Sequence, residues 1–435
     1  MITLEGIFSP DNLNLALRKV KDNKGAPGID GLKVEDFPKW FYDHPHELTN
    51  AIMDGTYKPK PIKRVYIPKD NGDKRPLGIP CVLDRIVQQA IAQALTAEYD
   101  SKFSESSYGF RPNKSPIDAV NAAIEYLNDG YCFVVDLDLE KFFDTVSHSK
   151  ILRLLSENIK DGRVISLISK ILKTKIVDGN TVTKPKCGVT QGAPCSPILA
   201  NILLDLLDKE LERRGHKFCR FADDVIILCK SRKAALRTYE SIKQFIEEKL
   251  LLKINEEKSS VQKINPKVKF LGFAFYYKRS KTNGKDTSGY IPVVHKKIKI
   301  RLHNTIKSKF LTRQLRCSIA STKLKLTLYL MGWAHFFARG ITKTNMKRIE
   351  QWLRHRIRMT YIIAWKKNST KESEFIKLKT ASKKTCHIVA NSSLGKWAKS
   401  LFANKVITNK VIHEQWGWPS IYKIVETKAW TILGY

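Results

Sequence analysis

The hydrophobic and polar positions of the chain predict short strands that carry acidic residues. In one stretch apolar residues alternate with acids, and the two-residue period of a strand puts Asp136 and Asp138 on one face and Leu137 on the other. A later pair of short apolar runs, rich in β-branched and aromatic side chains, encloses the adjacent acids Asp223 and Asp224. This pattern predicts a hairpin whose tight turn carries two carboxylates.

Longer stretches repeat their apolar residues with the period of a helix. A Lys- and Pro-rich segment, residues 57–80, alternates instead and predicts a two-stranded hairpin that turns at Asn71-Gly72-Asp73. Asp144 is expected to cap the helix that follows it, because Asp is favoured at N-caps. The helices that we predict cover residues 11–21, 82–99, 198–211, 235–250, 324–337 and 349–365.

The acidic hairpin has two interpretations. Adjacent acids are common in solvated turns, so the hairpin alone does not indicate chemistry. The second acidic strand favours a function, because carboxylates that converge from two strands bind hard divalent cations such as Mg²⁺ through oxygen. Two such ions about 3.5–4 Å apart activate an attacking oxygen and stabilise a leaving one in phosphoryl transfer.

The positive charge is concentrated in the last third of the chain. Residues 1–290 contain 47 basic and 37 acidic residues, a net charge of +10, whereas residues 291–435 contain 30 and 5, a net charge of +25. Such a region repels itself unless a polyanion neutralises it, and nucleic acid is the usual partner. An anionic membrane surface is the rival, but no segment approaches the ~20 apolar residues of a membrane span.

The N-terminus and the cysteines indicate a cytosolic protein. The first residues lack the basic and apolar regions of a signal peptide. Eight scattered cysteines contain no Cys-x-x-Cys pair, which favours a reducing compartment and argues against structural zinc.

Several motifs resemble those of reverse transcriptases, and in particular the group II intron-encoded branch. They run in the order of the family over nearly the whole chain, and each alone would be weak. Two positions depart from the family pattern: Phe221 replaces the usual Tyr, and Ala193 replaces a usual Gly. The motifs outside the acidic strands are Asn23–Gly31, Arg64–Lys69, Arg75–Pro80, Ser107–Pro112, Gly188–Pro197 and Phe270–Phe273.

The resemblance implies an α+β fold. It would be a right-hand polymerase with fingers, a ferredoxin-like palm, an α-helical thumb and a small basic C-terminal domain. The ranges expected are 1–110 for an N-terminal extension and fingers, 111–289 for the palm with part of the fingers, 290–365 for the thumb, and 366–435 for the C-terminal domain.

The resemblance also implies roles for individual residues. Phe143 is expected where a ribose 2′-OH would project, with Phe142 as the alternative, and one of the two aromatics is expected to pack in the core. The catalytic residues and Mg²⁺ ligands would be Asp138, Asp223 and Asp224. The nucleotide-binding residues would be Arg64, Lys69, Arg75, Phe143, Gln191, Gly192 and Lys258. Contacts with primer and template would come from Arg111, Phe221, Phe270, Leu271 and Gly272.

The implied function is the copying of RNA into DNA from dNTPs, in the bacterial cytosol or nucleoid. A structured group II intron RNA, whose splicing the protein would aid, and a DNA primer or target are the expected partners. The alternatives are a free-standing reverse transcriptase in repair or phage defence, and a splicing factor with an inactive palm, which the intact acids disfavour. The sequence leaves open whether the chain forms a homodimer. It also leaves open the role of four C-terminal tryptophans, 397, 416, 418 and 430, which either stack on bases or form a core.

Overall fold

The computed structural model describes residues 2–44, 46–68, 72–282, 285–312 and 318–432. It forms two compact units, Met1–Ile264 and Asn265–Tyr435. Lys69, predicted to bind the nucleotide, and Asn71 of the predicted finger turn lie outside the described residues.

The first unit combines helices with two four-stranded sheets. Its helices are α1 Leu4–Ile7, α2 Pro10–Asp22, α3 Phe37–Asp43, α4 Glu47–Met53, α5 Val82–Tyr99, α6 Pro116–Asn128, α7 Phe142–Thr145, α8 His148–Asn158, α9 Gly162–Leu172, α10 Ser196–Arg213 and α11 Arg232–Phe245. Its strands are β1 Ile62–Pro68, β2 Lys74–Ile79, β3 Phe133–Leu137, β4 Ile176–Asp178, β5 Thr181–Thr183, β6 Lys217–Phe221, β7 Asp224–Cys229 and β8 Ser260–Lys263.

One sheet has the order β2-β1-β4-β5, so the predicted finger hairpin is extended by two short strands that periodicity did not indicate. The other has the order β6-β7-β3-β8, and all its neighbours are antiparallel. Helices α8 to α10 connect β3 to β6, and α11 connects β7 to β8. The second sheet therefore has a βαββαβ connection, with its last strand beside its first.

Two long helices are buried on most sides in the core of this unit. Helix α5 buries Ile86, Ile91 and Leu95, and α10 buries Leu203 and Leu207, each with an exposed fraction of 0%. A helix that is apolar nearly all round belongs inside a core.

The capping residues expected from the sequence are found at the start of α10 but not at the start of α8. Helix α10 begins at Ser196, with Pro197 in its first turn, as the sequence predicts. The expected N-cap at Asp144 is wrong, because Asp144 lies inside the short helix α7 and Ser147 caps α8 by accepting a hydrogen bond from the backbone N–H of Lys150. The chain makes one short turn of helix at α7 before the longer helix α8 begins.

The second unit is mainly helical. Its strands are β9 Phe273–Lys278, β10 Lys281–Thr282, β11 Lys285–Asp286 and β12 Gly289–Val294, where β9 pairs with β12 and β10 with β11. Its helices are α12 Lys296–Thr305, α13 Ile319–Phe337, α14 Lys343–Ala364, α15 Asn368–Lys377, α16 Lys383–Asn391, α17 Lys396–Phe402 and α18 Ile421–Ile432.

One hydrophobic cluster runs through the second unit. Leu330 of α13 and Leu353 of α14 belong to the same cluster as Phe375, Ile407 and Trp418. The range 366–435 therefore shares its core with the two long helices, and the expected boundary at residue 365 does not separate two cores. In the described part of the chain, no helix is long and apolar enough to cross a membrane.

Candidate active site

Strand pairing brings the acids of the two predicted segments together. Strands β3 and β7 are antiparallel, and the last pair of their register is Leu137 with Val225. One further step along both strands places Asp138 opposite Asp224. Asp223 lies next to Asp224, in the two-residue turn between β6 and β7.

The carboxyl of Asp223 is partly buried and lies within electrostatic range of Asp138 and Arg75. Burial raises the pKa of the Asp223 carboxyl, and the negative charge of Asp138 raises it further. The guanidinium of Arg75, on β2, acts in the opposite direction. The turn is thus a point where like charges meet and where a cation is electrostatically favoured.

The main chain of Asp138 is held by the loop before β8. Its backbone N–H donates to Ser259 Oγ at 3.0 Å, and its carbonyl oxygen accepts from the backbone N–H of Asn255 at 2.8 Å. Lys258, in the same loop, places its Nζ 3.7 Å from Asp138 Oδ1. The predicted nucleotide-binding lysine therefore lies beside a predicted metal ligand.

The β6–β7 turn has a strained backbone, and the segment before Gly109 packs against it. Ala222 has a φ of +56°, a region that favours glycine. The segment before Gly109 pairs with β6, where the backbone N–H of Tyr108 donates to the carbonyl oxygen of Arg220 at 2.8 Å. A Cβ added at Gly109 would lie only 2.2 Å from Ala222 N, so glycine is what allows this close approach.

A buried charge network lies directly under the turn, and the sequence patterns did not predict it. Arg220 Nε donates to Asp208 Oδ1 at 2.7 Å, and Arg220 Nη1 donates to Asn201 Oδ1 at 2.9 Å and to the carbonyl oxygen of Ala222 at 3.1 Å. The side chains of Arg220 and Asp208 have an exposed fraction of 0%. The available signal was a cation in an apolar strand and an acid in an apolar helix, since buried charges need partners.

A cavity of about 220 Å³ in the same unit collects three predicted nucleotide-binding residues. Arg64 of β1, Phe143 of α7 and Gln191 line it. The ring of Phe142 is buried and meets that of Phe143 edge to face, with 5.3 Å between the ring centroids. The two aromatics therefore divide as expected, one in the core and one at a cavity.

The loop that carries Gln191 forms backbone hydrogen bonds with α7 on one side and with β2 on the other. The backbone N–H of Val189 donates to the carbonyl oxygen of Phe143 at 2.6 Å, and the carbonyl oxygen of Gln191 accepts from the backbone N–H of Gly78 at 2.8 Å. Gly192 has a φ of +99°, and a Cβ there would collide with Leu77. The loop is thus held between α7 and the finger strand β2.

Arg111 corrects one expectation. Its guanidinium is buried and makes four hydrogen bonds, to the side chain and carbonyl oxygen of Asp100 and to the carbonyl oxygens of Ser104 and Ser107. These contacts fasten the loop that supports the hairpin. Arg111 is therefore not placed to contact primer or template, because its side chain is buried and four of its five N–H donors are occupied inside the protein.

The remaining predicted contacts lie in both units. Phe221 is half-buried, and its ring centroid lies 6.4 Å from that of the exposed Phe110. In the second unit Phe270, Leu271 and Gly272 form a tight turn before β9, and Phe270 exchanges backbone hydrogen bonds with Phe273. The Phe270 ring is buried, so this residue can contact a ligand only through its backbone.

The three acids provide oxygen ligands of the kind that hard divalent cations prefer. Asp138 and Asp223 are half-buried and Asp224 is exposed, so their carboxylates are open to an ion from solvent. Within the described residues, no group of three His, Cys, Asp or Glu side chains could hold a metal ion as the side chains lie here. A divalent cation bound by these carboxylates would therefore need water and substrate oxygens to complete its coordination.

Comparisons with known proteins identify two matching families and several relatives. The family "Reverse transcriptase (RNA-dependent DNA polymerase)" matches residues 67–275, and "Group II intron, maturase-specific domain" matches residues 299–377. Protein YkfC of Escherichia coli K12 is 32% identical over 317 residues, which cover 63% of this chain and 83% of that protein.

Two further relatives match this chain over only part of their own length. The group II intron-encoded protein LtrA of Lactococcus lactis is 29% identical over 63% of this chain and 57% of its own length. A putative COX1/OXI3 intron 1 protein of Saccharomyces cerevisiae is 36% identical over 46% of this chain and 24% of its own length. A chain of a partial Cas6-RT-Cas1–Cas2 complex aligns with a TM-score of 0.36 and 27% identity, over 56% of this chain and 42% of that one.

The chain belongs to the reverse transcriptases, the RNA-directed DNA polymerases, and carries the maturase-specific domain of group II intron proteins. Its fold is that of this family, a mixture of helices and sheets. Membership implies an RNA template and a requirement for divalent metal ions.

Proposed function

We propose that this chain copies RNA into DNA at Asp138, Asp223 and Asp224, with Mg²⁺ as the metal, and that it also binds a group II intron RNA to aid splicing and retrohoming. The observation that carries the proposal is the register of β3 and β7, which places Asp138 opposite Asp224 and beside Asp223. These acids would hold two Mg²⁺ ions, which when bound activate the primer 3′ hydroxyl and stabilise the leaving pyrophosphate.

In this proposal the β6-β7-β3-β8 sheet is a ferredoxin-like palm, which its βαββαβ connection supports. The other domains follow the expected ranges, with fingers within residues 1–110, a thumb within 290–365 and a basic C-terminal region in 366–435. The cytosol and nucleoid of a bacterium are the proposed location.

The chain's own residues would position the dNTP. The cations Arg64, Arg75 and Lys258 would bind its triphosphate, since Arg and Lys hold phosphate groups through charge-assisted hydrogen bonds. Lys69 joins them in the proposal. Gln191 and Gly192 would contact the nucleotide from the loop that is fastened between α7 and β2. Phe221 and the Phe270–Gly272 backbone would meet the primer and template.

Phe143→Ala is expected to relax discrimination against ribonucleotides. The Phe143 ring lines the 220 Å³ cavity, and its removal opens room for a 2′-OH beside the sugar. Single-nucleotide incorporation should show a higher kcat/KM for rNTPs relative to dNTPs. Phe142→Leu is the control, because that ring is buried. Unchanged discrimination in Phe143→Ala would exclude this residue as the steric gate.

Intron binding is proposed to use the positive charge of residues 366–435, which contain 13 basic and 4 acidic residues. Truncation is not a clean test, because these residues share the core of the second unit. Substituting glutamine for six lysines that the structure leaves exposed removes charge without removing apolar side chains. The six are Lys366, Lys367, Lys379, Lys383, Lys384 and Lys410.

The six-lysine variant is expected to flatten the dependence of log affinity on log salt by about 4 to 5, at ~0.7–0.9 for each phosphate that the protein no longer neutralises. Filter binding to a structured RNA at several salt concentrations measures this slope. Glutamine at six exposed lysines of the first unit, such as Lys19 and Lys21, is the matched control. An unchanged slope would mean that the charge of residues 366–435 stays solvated when RNA binds.

The splicing role is tested with RNA transcribed from the DNA that surrounds the reading frame. Protein-dependent splicing of that RNA at low Mg²⁺ would support the maturase proposal. If no intron surrounds the reading frame and no splicing occurs, the chain is a free-standing reverse transcriptase instead.

A further inference from the structure

The second unit contains a cavity of about 770 Å³ that combines aromatic and cationic side chains. Trp352 and Trp397 line it together with Lys307, Lys396 and Arg356. Eight of the described residues line it, and none of the eight is acidic. Its helix α17 lies beyond residue 377, where the match to the maturase-specific domain ends.

Trp397 differs from the other tryptophans of this region. Trp418 has an exposed fraction of 2%, and its Nε1 donates to the Tyr361 hydroxyl at 3.1 Å. Trp416 stacks on the Tyr361 ring with 4.0 Å between the ring centroids. These two tryptophans are structural, whereas Trp397 has an exposed fraction of 48%. The side chain of Trp430 lies outside the described residues.

The exposed indole of Trp397 packs against a buried histidine. The buried imidazole of His355 meets the Trp397 ring edge to face, with 3.4 Å between the ring centroids. Ser400 Oγ, which is also buried, lies 2.8 Å from His355 Nδ1. Burial lowers the pKa of His355 to about 4, and Arg358 and Arg356 add to the effect, so the imidazole is neutral at pH 7. A neutral, fixed ring restricts the indole without occupying the cavity.

We infer that this cavity binds an unpaired nucleotide of RNA, with its base stacked on Trp397 and its phosphates contacted by Lys307 and Lys396. Both lysines are exposed, as phosphate contacts require. Unpaired bases stack on aromatic side chains while neighbouring cations follow the backbone, and paired bases inside a helix cannot do so. The inference rests on the proposed RNA-binding function and assigns it a specific site.

The test compares an oligouridylate with a blunt RNA duplex of equal length, using the full chain without nucleotides. Trp397→Leu is expected to weaken oligouridylate binding by about 5- to 150-fold, the effect of losing one base–aromatic stack. Binding of the blunt duplex should change less than twofold. Trp397→Phe should restore most of the affinity, because phenylalanine keeps a stacking face.

The salt dependence separates stacking from charge. Trp397→Leu should leave the salt slope unchanged, whereas a Lys307→Gln/Lys396→Gln variant should flatten it by about 1.4. Ile388→Ala, which removes an exposed apolar side chain outside the cavity lining, is the control and should bind as the native chain does. Far-UV circular dichroism and thermal unfolding establish that each variant is folded.

Three results would overturn the inference. If Trp397→Leu binds oligouridylate as tightly as the native chain, the cavity does not stack a base, while the proposed RNA binding stands. An equal loss for the duplex would show a contact with helical RNA instead. If the native chain binds neither RNA, the inference and the proposed RNA-binding function fail together.

Discussion

Asp223→Ala is expected to abolish dNTP incorporation on an RNA template, with a loss of about a thousandfold or more in kcat. The substitution removes a proposed metal ligand from the β6–β7 turn and leaves the backbone of that turn in place. RNA affinity should stay within a few fold of the native value. Primer extension at saturating Mg²⁺, together with RNA binding, measures both effects.

The acid in β3, Asp136, and the acid just after it, Asp138, provide the matched control. Asp136 and Asp138 lie two residues apart on one face of the same segment, but only Asp138 reaches the position opposite Asp224. Asp138→Ala should therefore be as inactive as Asp223→Ala, and Asp136→Ala should keep most of its activity. Measurable extension by Asp223→Ala at saturating Mg²⁺, or equal losses for Asp136→Ala and Asp138→Ala, would contradict the assignment.

Arg220→Met is expected to lower the free energy of unfolding of the first unit by about 3–5 kcal/mol, because it leaves the Asp208 carboxylate buried without its partner. Both side chains have an exposed fraction of 0%, so water cannot replace the missing hydrogen bonds. The Ala222 carbonyl is also deprived of a donor, at the residue where the turn has its positive φ. Urea unfolding of the first unit measures the change.

The double variant Arg220→Met/Asp208→Leu separates stability from positioning. Removing both charges should recover most of the stability, because an apolar pair can replace a buried ion pair at little cost. Its kcat should stay below that of the native chain, since the support of the Ala222 carbonyl is still missing. A double variant with native stability and native kcat would show that Arg220 does not position the turn.

The features that the sequence predicted well are local ones. The alternation around Asp136 and Asp138 describes a strand, and the residues on either side of Asp223 describe a hairpin; both are present. The 82–99 helix also has the predicted bounds, because its apolar period is long and uninterrupted. Such patterns depend on neighbours in the chain, so one sequence contains enough information.

The features that were missed depend on distant residues. The Arg220–Asp208 pair joins a strand to a helix, and nothing local indicates which acid meets which base. Arg111 has a sequence context like that of any exposed arginine, and only the fold shows that its guanidinium is occupied. The tryptophans after residue 366 left base stacking and a core as alternatives, and nothing local indicated that residues of this range would pack with α13 and α14.

The proposed polymerase activity is tested most directly by extension of a DNA primer on an RNA template by the full chain. With dNTPs and Mg²⁺ we expect full-length complementary DNA, and none when the divalent cation is chelated. If the folded chain binds the primer–template but extends it with neither Mg²⁺ nor another divalent ion, the proposed activity is contradicted. Asp138, Asp223 and Asp224 would then belong to an inactive palm in an RNA-binding protein.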